Sequence, residues 1–296
     1  MTITEMAPSQ VNVGLELRRL SPNLGAEVTG VDLCAPMGDS EVDLIRDALL
    51  RHKVLFFRGQ ALDPNSQLAF AERFGVLTEA HPIMEAYAED HPEIWQIDSS
   101  TFKGRNDIWH TDVTFVERPP LGSILRAVRV PQFGGDTNWA DLEAAYRTLS
   151  PGLQKLADSL TALHDGEAEF NEILREKGGE SRWEGKLFAG FEPVEHPVVR
   201  IHPETGRKSL FVNRGFTTKI VGVSEAESRH LLDIFFAAIE KPENTVRHSW
   251  QAGDVVFWDN RSTAHYANND YGNFRRIMHR VTIRGDKPRG VTGSLV

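Results

Sequence analysis

Short apolar runs bounded by turn residues, and not repeated strand–helix units, constrain how this chain can fold. KVLFFRG, GSILRAVRV, HPVVRIH, KSLFVN, GDVVFWD and RRIMHRVTIR are rich in Val, Ile, Leu and Phe and are bounded by Gly, Pro, Asn or Asp, as strands are. Helical patterns cluster early. SEVDLIRDALLRH (40–52) sets Val42, Ile45 and Leu49 on one face behind Ser40 as cap. Asp63 and Pro64 open a second helix that Gly75 closes. DLEAAYRTL and SPGLQKLADSL read as two helices broken at Ser150-Pro151, and SEAESRHLLDIFFAAI (224–239) opens with a Ser224/Glu227 capping box. Strands then dominate the second half. This order does not build βαβ units, so it argues against a doubly wound parallel sheet. It favours a mixed, mainly β fold, an antiparallel sandwich or jelly roll flanked by helices.

The 296 residues suffice for one large domain with a substantial core. Residues 1–13 read as a loose tail, 14–290 as the domain, and the polar, Glu-rich stretch 165–195 as an insertion or lid. A net charge of −9 argues against a nucleic-acid partner. The single cysteine, Cys34, allows neither an intrachain disulfide nor a Cys-based metal cluster. With no signal-peptide pattern and no long apolar run, the expected location is the cytoplasm, with no membrane partner. Assembly into a homo-oligomer, dimer or tetramer, is left open by the sequence.

IWHTDVTF (108–115) raises the question of chemistry. As a strand it would project His110 and Asp112 from the same face. One imidazole and one carboxylate are two-thirds of the 2-His-1-carboxylate set of non-haem Fe(II) oxygenases. The alternative is a polar strand end bonded locally. Of the 11 histidines, His52 and His230 read as surface residues on helices. His164, His196, His202 and His248 lie near element ends without a motif, and His265 follows the apolar strand in WDNRSTAHYANNDY. In RRIMHRVTIR, Arg276 and Arg280 share a face, about 13 Å apart, with His279 on the other. Two buried arginines need anions. Either two acidic groups of small molecules enter one pocket, or internal carboxylates pair with them.

WHTDVTF (109–115), GGDT (134–137), WDNRSTAHYA (258–267) and RRIMHR (275–280) together resemble the Fe(II)/2-oxoglutarate dioxygenases of the taurine dioxygenase group, over residues 14 to 288. The resemblance implies a double-stranded β-helix, a clavaminate synthase-like jelly roll. It implies that His110, Asp112 and His265 bind Fe(II), and that Arg276 and Thr137 hold the distal carboxylate of 2-oxoglutarate. Arg280, His81 and Asn106 would then hold a small anionic sulfonate or sulfate, with Phe170 and Phe216 as aromatic walls. The implied reaction consumes O2 and 2-oxoglutarate, with ascorbate as reductant in the assay tube, and hydroxylates the carbon next to sulfur. Taurine is the first expected substrate, releasing sulfite and an aldehyde. An alkyl sulfate ester is the alternative, because SSTFKGRNDIWH departs from the Asn- and Pro-rich loop of the taurine enzymes. A metal-dependent hydrolase or a non-catalytic cupin-like binding protein would carry the triad but has no use for the Arg276/Thr137 clamp.

Overall fold

A computed structural model describes residues 14–101, 106–176, 178, 180–183, 186–188 and 190–291. The expected tail, 1–13, and parts of the 165–195 stretch lie outside the described residues. The backbone of the fold is a seven-stranded sheet. Its order is Glu16–Arg19, Ala26–Thr29, Val54–Phe57, Val255–Asp259, Gly122–Arg129, Ile277–Ile283, Trp95–Asp98. Only the pair Ala26–Thr29 and Val54–Phe57 runs parallel; the other neighbours are antiparallel. A second sheet joins Thr245–His248, Thr137–Asp141 and Thr263–Ala267, and a third joins Val194–Pro197, Thr161–His164 and Thr217–Ile220. The fold is mixed α/β, with strands along the whole chain and not only in its second half.

Alternation along the central strands explains the layers. Leu55, Phe57, Val255 and Phe257 pack on Ile45 and Leu49 of α1 (Asp39–His52) and Phe70 of α2 (Pro64–Glu72). Phe56, Val256, Trp258 and Met278 point the other way, onto Trp139 of the second sheet and Trp250. Both faces of these strands are thus buried, which is why their sequences read as continuous apolar runs. A further cluster packs α3 (Leu142–Thr148) and α6 (Glu225–Ile239) against Leu210 and Ala264. The short α4 (Pro151–Ala157) follows α3 as the Ser150-Pro151 break predicts.

Capping follows the sequence at α2, where Asp63 and Ser66 form a reciprocal box, and at α6, where Ser224 and Glu227 do. At α1 the cap is Gly38, two residues before the expected Ser40, and makes no side-chain cap bond. His52, read as a surface residue, is buried at the end of α1. Within 165–195 the chain forms α5 (Glu167–Glu176), a helix the weak periodicity did not disclose, then the paired strands Ser181–Trp183 and Lys186–Phe188. Among the described residues, no helix is long and apolar enough to cross a membrane.

Candidate functional site

IWHTDVTF is not a strand. His110 makes a single bridge to His265, with His110 N–H donating to His265 O at 2.9 Å and His265 N–H to His110 O at 2.7 Å. Asp112–Phe115 then turns sharply, with Val113 at φ +54°. A β-branched residue there costs on the order of 1–3 kcal/mol, so the surroundings must enforce the turn. Asn260 does so by binding both backbone groups of Asp112: its Oδ1 accepts from Asp112 N–H at 2.9 Å, and its Nδ2 donates to Asp112 O at 3.0 Å. The bridge and the turn together bring His110 and Asp112 to one place, the outcome expected from strand alternation but reached differently.

His110, Asp112 and His265 offer one ligand atom each within 4.8 Å of one another, and all three are buried. The Nε2 atoms of His110 and His265 lie 4.0 and 3.8 Å from Asp112 Oδ1. His110 Nδ1 sits 2.8 Å from Ile108 O, which fixes the ring and leaves Nε2 as its coordinating atom. Burial lowers the His110 imidazole below its ordinary pKa and takes His265 down to about 3, so both stand neutral, the form that binds a metal. Burial pushes the Asp112 carboxyl up. The Arg280 guanidinium foremost, with the Ser123 hydroxyl 2.7 Å from Oδ2, outweighs that and keeps it ionised below the usual carboxylate range. Two neutral imidazoles and one carboxylate fit Fe(II) with open positions for other ligands.

Gly215 lies against this centre. A Cβ on it would come within 2.9 Å of His110 Cβ. Gly215→Ala therefore must move His110, and overpacking of this kind costs about 1–3 kcal/mol. The expected result is metal affinity lowered by about tenfold or more, checked by metal titration beside thermal unfolding.

Asn106 lines two cavities, of which the smaller reaches the centre through His110 and Asp112. The larger, about 200 Å³, is polar and includes Ser99, Asn268, Asn269, Tyr271 and Arg276. Arg276 is buried, its Nε has no hydrogen-bond partner among the described residues, and burial lowers its pKa to about 10, leaving it charged. Its side chain passes Gly135, where a Cβ would lie 3.3 Å from Arg276 Cδ, which accounts for a glycine in GGDT. Thr137 does not line this cavity. Its hydroxyl accepts from Trp250 Nε1 at 3.0 Å, and the Trp250 ring carries Arg276 Cζ at 5.9 Å from its centroid. Trp250, a residue with no motif to mark it, thus links the two.

The smaller cavity, about 40 Å³, collects His81, Asn106, His110, Asp112, Phe170, Phe216 and Arg280, together with Trp95, Glu169 and Val113. Phe170 and Phe216 stack at 6.1 Å. His81 Nδ1 accepts from Ile83 N–H at 3.0 Å and Met84 N–H at 3.2 Å, which makes Nε2 the protonated nitrogen. Arg280 lies over Trp95 at 4.5 Å, and its Nη1 meets Asp112 Oδ1. The two arginines therefore face separate cavities and not one pocket. Arg276 precedes the strand, and the pairing of Ile277–Ile283 with Gly122–Arg129 shifts register between Ile277 and Met278. Simple alternation does not carry across such an irregularity. Among the described residues, one of the two arginines, Arg280, has an internal carboxylate partner, as the alternative reading allowed. His279 does face away, beside Gln96 and Tyr87.

The model of the taurine catabolism dioxygenase TauD, TfdA family matches residues 16–282. The alkylsulfatase of Acinetobacter baylyi is 44% identical over 283 residues, covering 94% of this chain and 88% of that protein. The alpha-ketoglutarate-dependent sulfate ester dioxygenase of Pseudomonas putida is 41% identical over 298 residues, covering 100% of this chain and 98% of that one. A crystal structure of a taurine dioxygenase from Burkholderia xenovorans superposes with a TM-score of 0.81 at 40% identity, covering 95% of this chain and 94% of that one.

Proposed function

The chain belongs to the TauD/TfdA family of 2-oxoglutarate-dependent non-haem iron dioxygenases, and from that premise we propose that its substrate is an alkyl sulfate ester. The observation that carries the choice is similarity to the two sulfate-ester enzymes over nearly the whole chain, at 44% and 41% identity. Taurine, the first expectation from the sequence, becomes the second reading; the likeness to the Burkholderia taurine dioxygenase favours it. The small cavity supports an anion with an apolar tail, since Arg280 and His81 stand beside Phe170 and Phe216. The two facing sheets suit a double-stranded β-helix core. Residues 14–290 serve as one domain in this reading, with α5 supplying Phe170 from the 165–195 cover.

Bound Fe(II), with 2-oxoglutarate and O2, supplies the oxidising power, and 2-oxoglutarate leaves as succinate and CO2. The protein's part is placement and exclusion of water. Arg276 holds the distal carboxylate of 2-oxoglutarate, and Thr137, joined to Arg276 through the Trp250 ring, supports that end of the cofactor from outside the present cavity lining. Arg280 and the Nε2–H of His81 hold the sulfate, while Asn106 borders both molecules. That anchor sets the carbon bearing the ester oxygen toward the metal centre. Hydroxylation at that carbon yields a hemiacetal sulfate. Its C–O bond to sulfate breaks as the new hydroxyl loses its proton, giving aldehyde and inorganic sulfate. Sulfate is a good leaving group, so no side chain must act as nucleophile.

The test supplies Fe(II), 2-oxoglutarate, ascorbate and oxygen with either hexyl sulfate or taurine, and measures succinate, sulfate and sulfite. Sulfate formed in step with succinate from hexyl sulfate is the expected result. Sulfite from taurine at a higher kcat/KM would replace the sulfate-ester reading with the sulfonate one.

A further inference from the structure

The strained turn after Asp112 is tied into a ring of buried hydrogen bonds built around His164. Phe216 N–H donates to Asn213 Oδ1 at 2.9 Å, so the other end of that amide is the donor. Asn213 Nδ2 gives its proton to Thr114 Oγ1 at 3.1 Å. Thr114 Oγ1 also lies 2.9 Å from His164 Nδ1, within hydrogen-bond distance. Thr217 Oγ1 lies against the same imidazole, 3.3 Å from Nε2 and 3.5 Å from Nδ1. Thr217 Oγ1 also accepts Asn213 N–H at 2.9 Å, which closes the ring. All four side chains are buried. A second histidine, His196, reaches the carbonyls of Thr114 and Val116 through Nε2, at 2.9 and 3.1 Å.

The ring joins two pieces of chain that the metal centre needs in register. Thr114 stands two residues after Asp112, on the turn that Val113 strains. Asn213 and Thr217 bracket Gly215, against His110, and Phe216, in the wall of the small cavity. We propose that Thr114, His164 and Asn213 are positioning residues: their ring locks the Asp112 turn to the 213–217 loop and thereby sets the geometry of the metal centre. The proposal rests on the metal centre and not on which sulfur compound is oxidised.

Thr114→Val removes one hydroxyl at almost constant volume and opens the ring beside Asp112. Outer partners of metal ligands typically govern affinity by about 10–100-fold. The expected result is a Co(II) dissociation constant raised within that range and a changed visible absorption spectrum of the Co(II) protein, with Thr114→Ser returning both toward the parent. A purely structural role would lower the melting temperature and leave the Co(II) spectrum alone. Parental Co(II) affinity and spectrum in Thr114→Val would therefore overturn the proposal. If that variant does not fold, His164→Gln is read in the same way, and failure of both to fold would assign the ring to stability and overturn the positioning role. No readout depends on turnover, so failure of the sulfate-ester reading would look different.

Discussion

Replacing Asp112 with asparagine is expected to abolish turnover and to weaken Fe(II) binding by more than about 100-fold, beyond the loss usual for an outer partner of a ligand. The carboxylate is the only anionic member of the triad. Exchange for an amide removes the charge that two neutral imidazoles cannot supply. It also weakens the contact with Arg280, where a neutral amide oxygen replaces a carboxylate as acceptor. The fold should survive, since Asn260 grips the backbone of Asp112 and not its carboxylate. Metal titration and thermal unfolding of the same preparation separate the two effects. Parental metal affinity in Asp112→Asn would remove Asp112 from the ligand set.

The sequence disclosed most where the chemistry is local. Asp63, Ser224 and Glu227 cap helices where their side chains reach nearby backbone N–H groups, a short-range matter that residue order nearly decides. The strands were legible as apolar runs because both faces of the central ones are buried. Errors arose where tertiary contacts overrode a local pattern. His110–Phe115 has the composition of a strand, yet Asn260, 148 residues beyond Asp112, holds it as a turn. Arg276 and Arg280 obey alternation only if the ladder is regular, and it shifts between them. Ser123, Asn260, Trp95 and Trp250 carried no signal of their own. Each acts on a neighbour distant in sequence: Ser123 and Asn260 on Asp112, Trp95 on Arg280, Trp250 on Thr137. WDNRSTAH did contain Asn260, so its motif marked the place without marking the role. His164 and His196 showed no motif because their partners come from four separate stretches.

Alanine at Arg280 and alanine at Arg276 should give crossed kinetic patterns, because the two side chains face different cavities that, among the described residues, share only Asn106. Losing a buried charged hydrogen-bond partner costs about 2–5 kcal/mol, or about 30- to 4000-fold. Arg280→Ala should therefore lower kcat/KM for an alkyl sulfate by that range and move the KM for 2-oxoglutarate by less than about threefold, as separated sites behave nearly independently. Arg276→Ala should do the reverse, raising the KM for 2-oxoglutarate steeply. Succinate formation at varied concentrations of each compound measures both. Equal loss of both parameters in each variant would mean one shared anion site, and would count against two cavities with separate tasks. Arg280→Ala carries a further signature. Arg280 is the largest favourable influence keeping Asp112 ionised, so its removal raises the Asp112 pKa. A proton then competes with the metal from a higher pH downward, and metal affinity in Arg280→Ala should fall off on acidification earlier than in the parent. Arg276 does not touch Asp112, and Arg276→Ala should keep the parental pH dependence of metal binding.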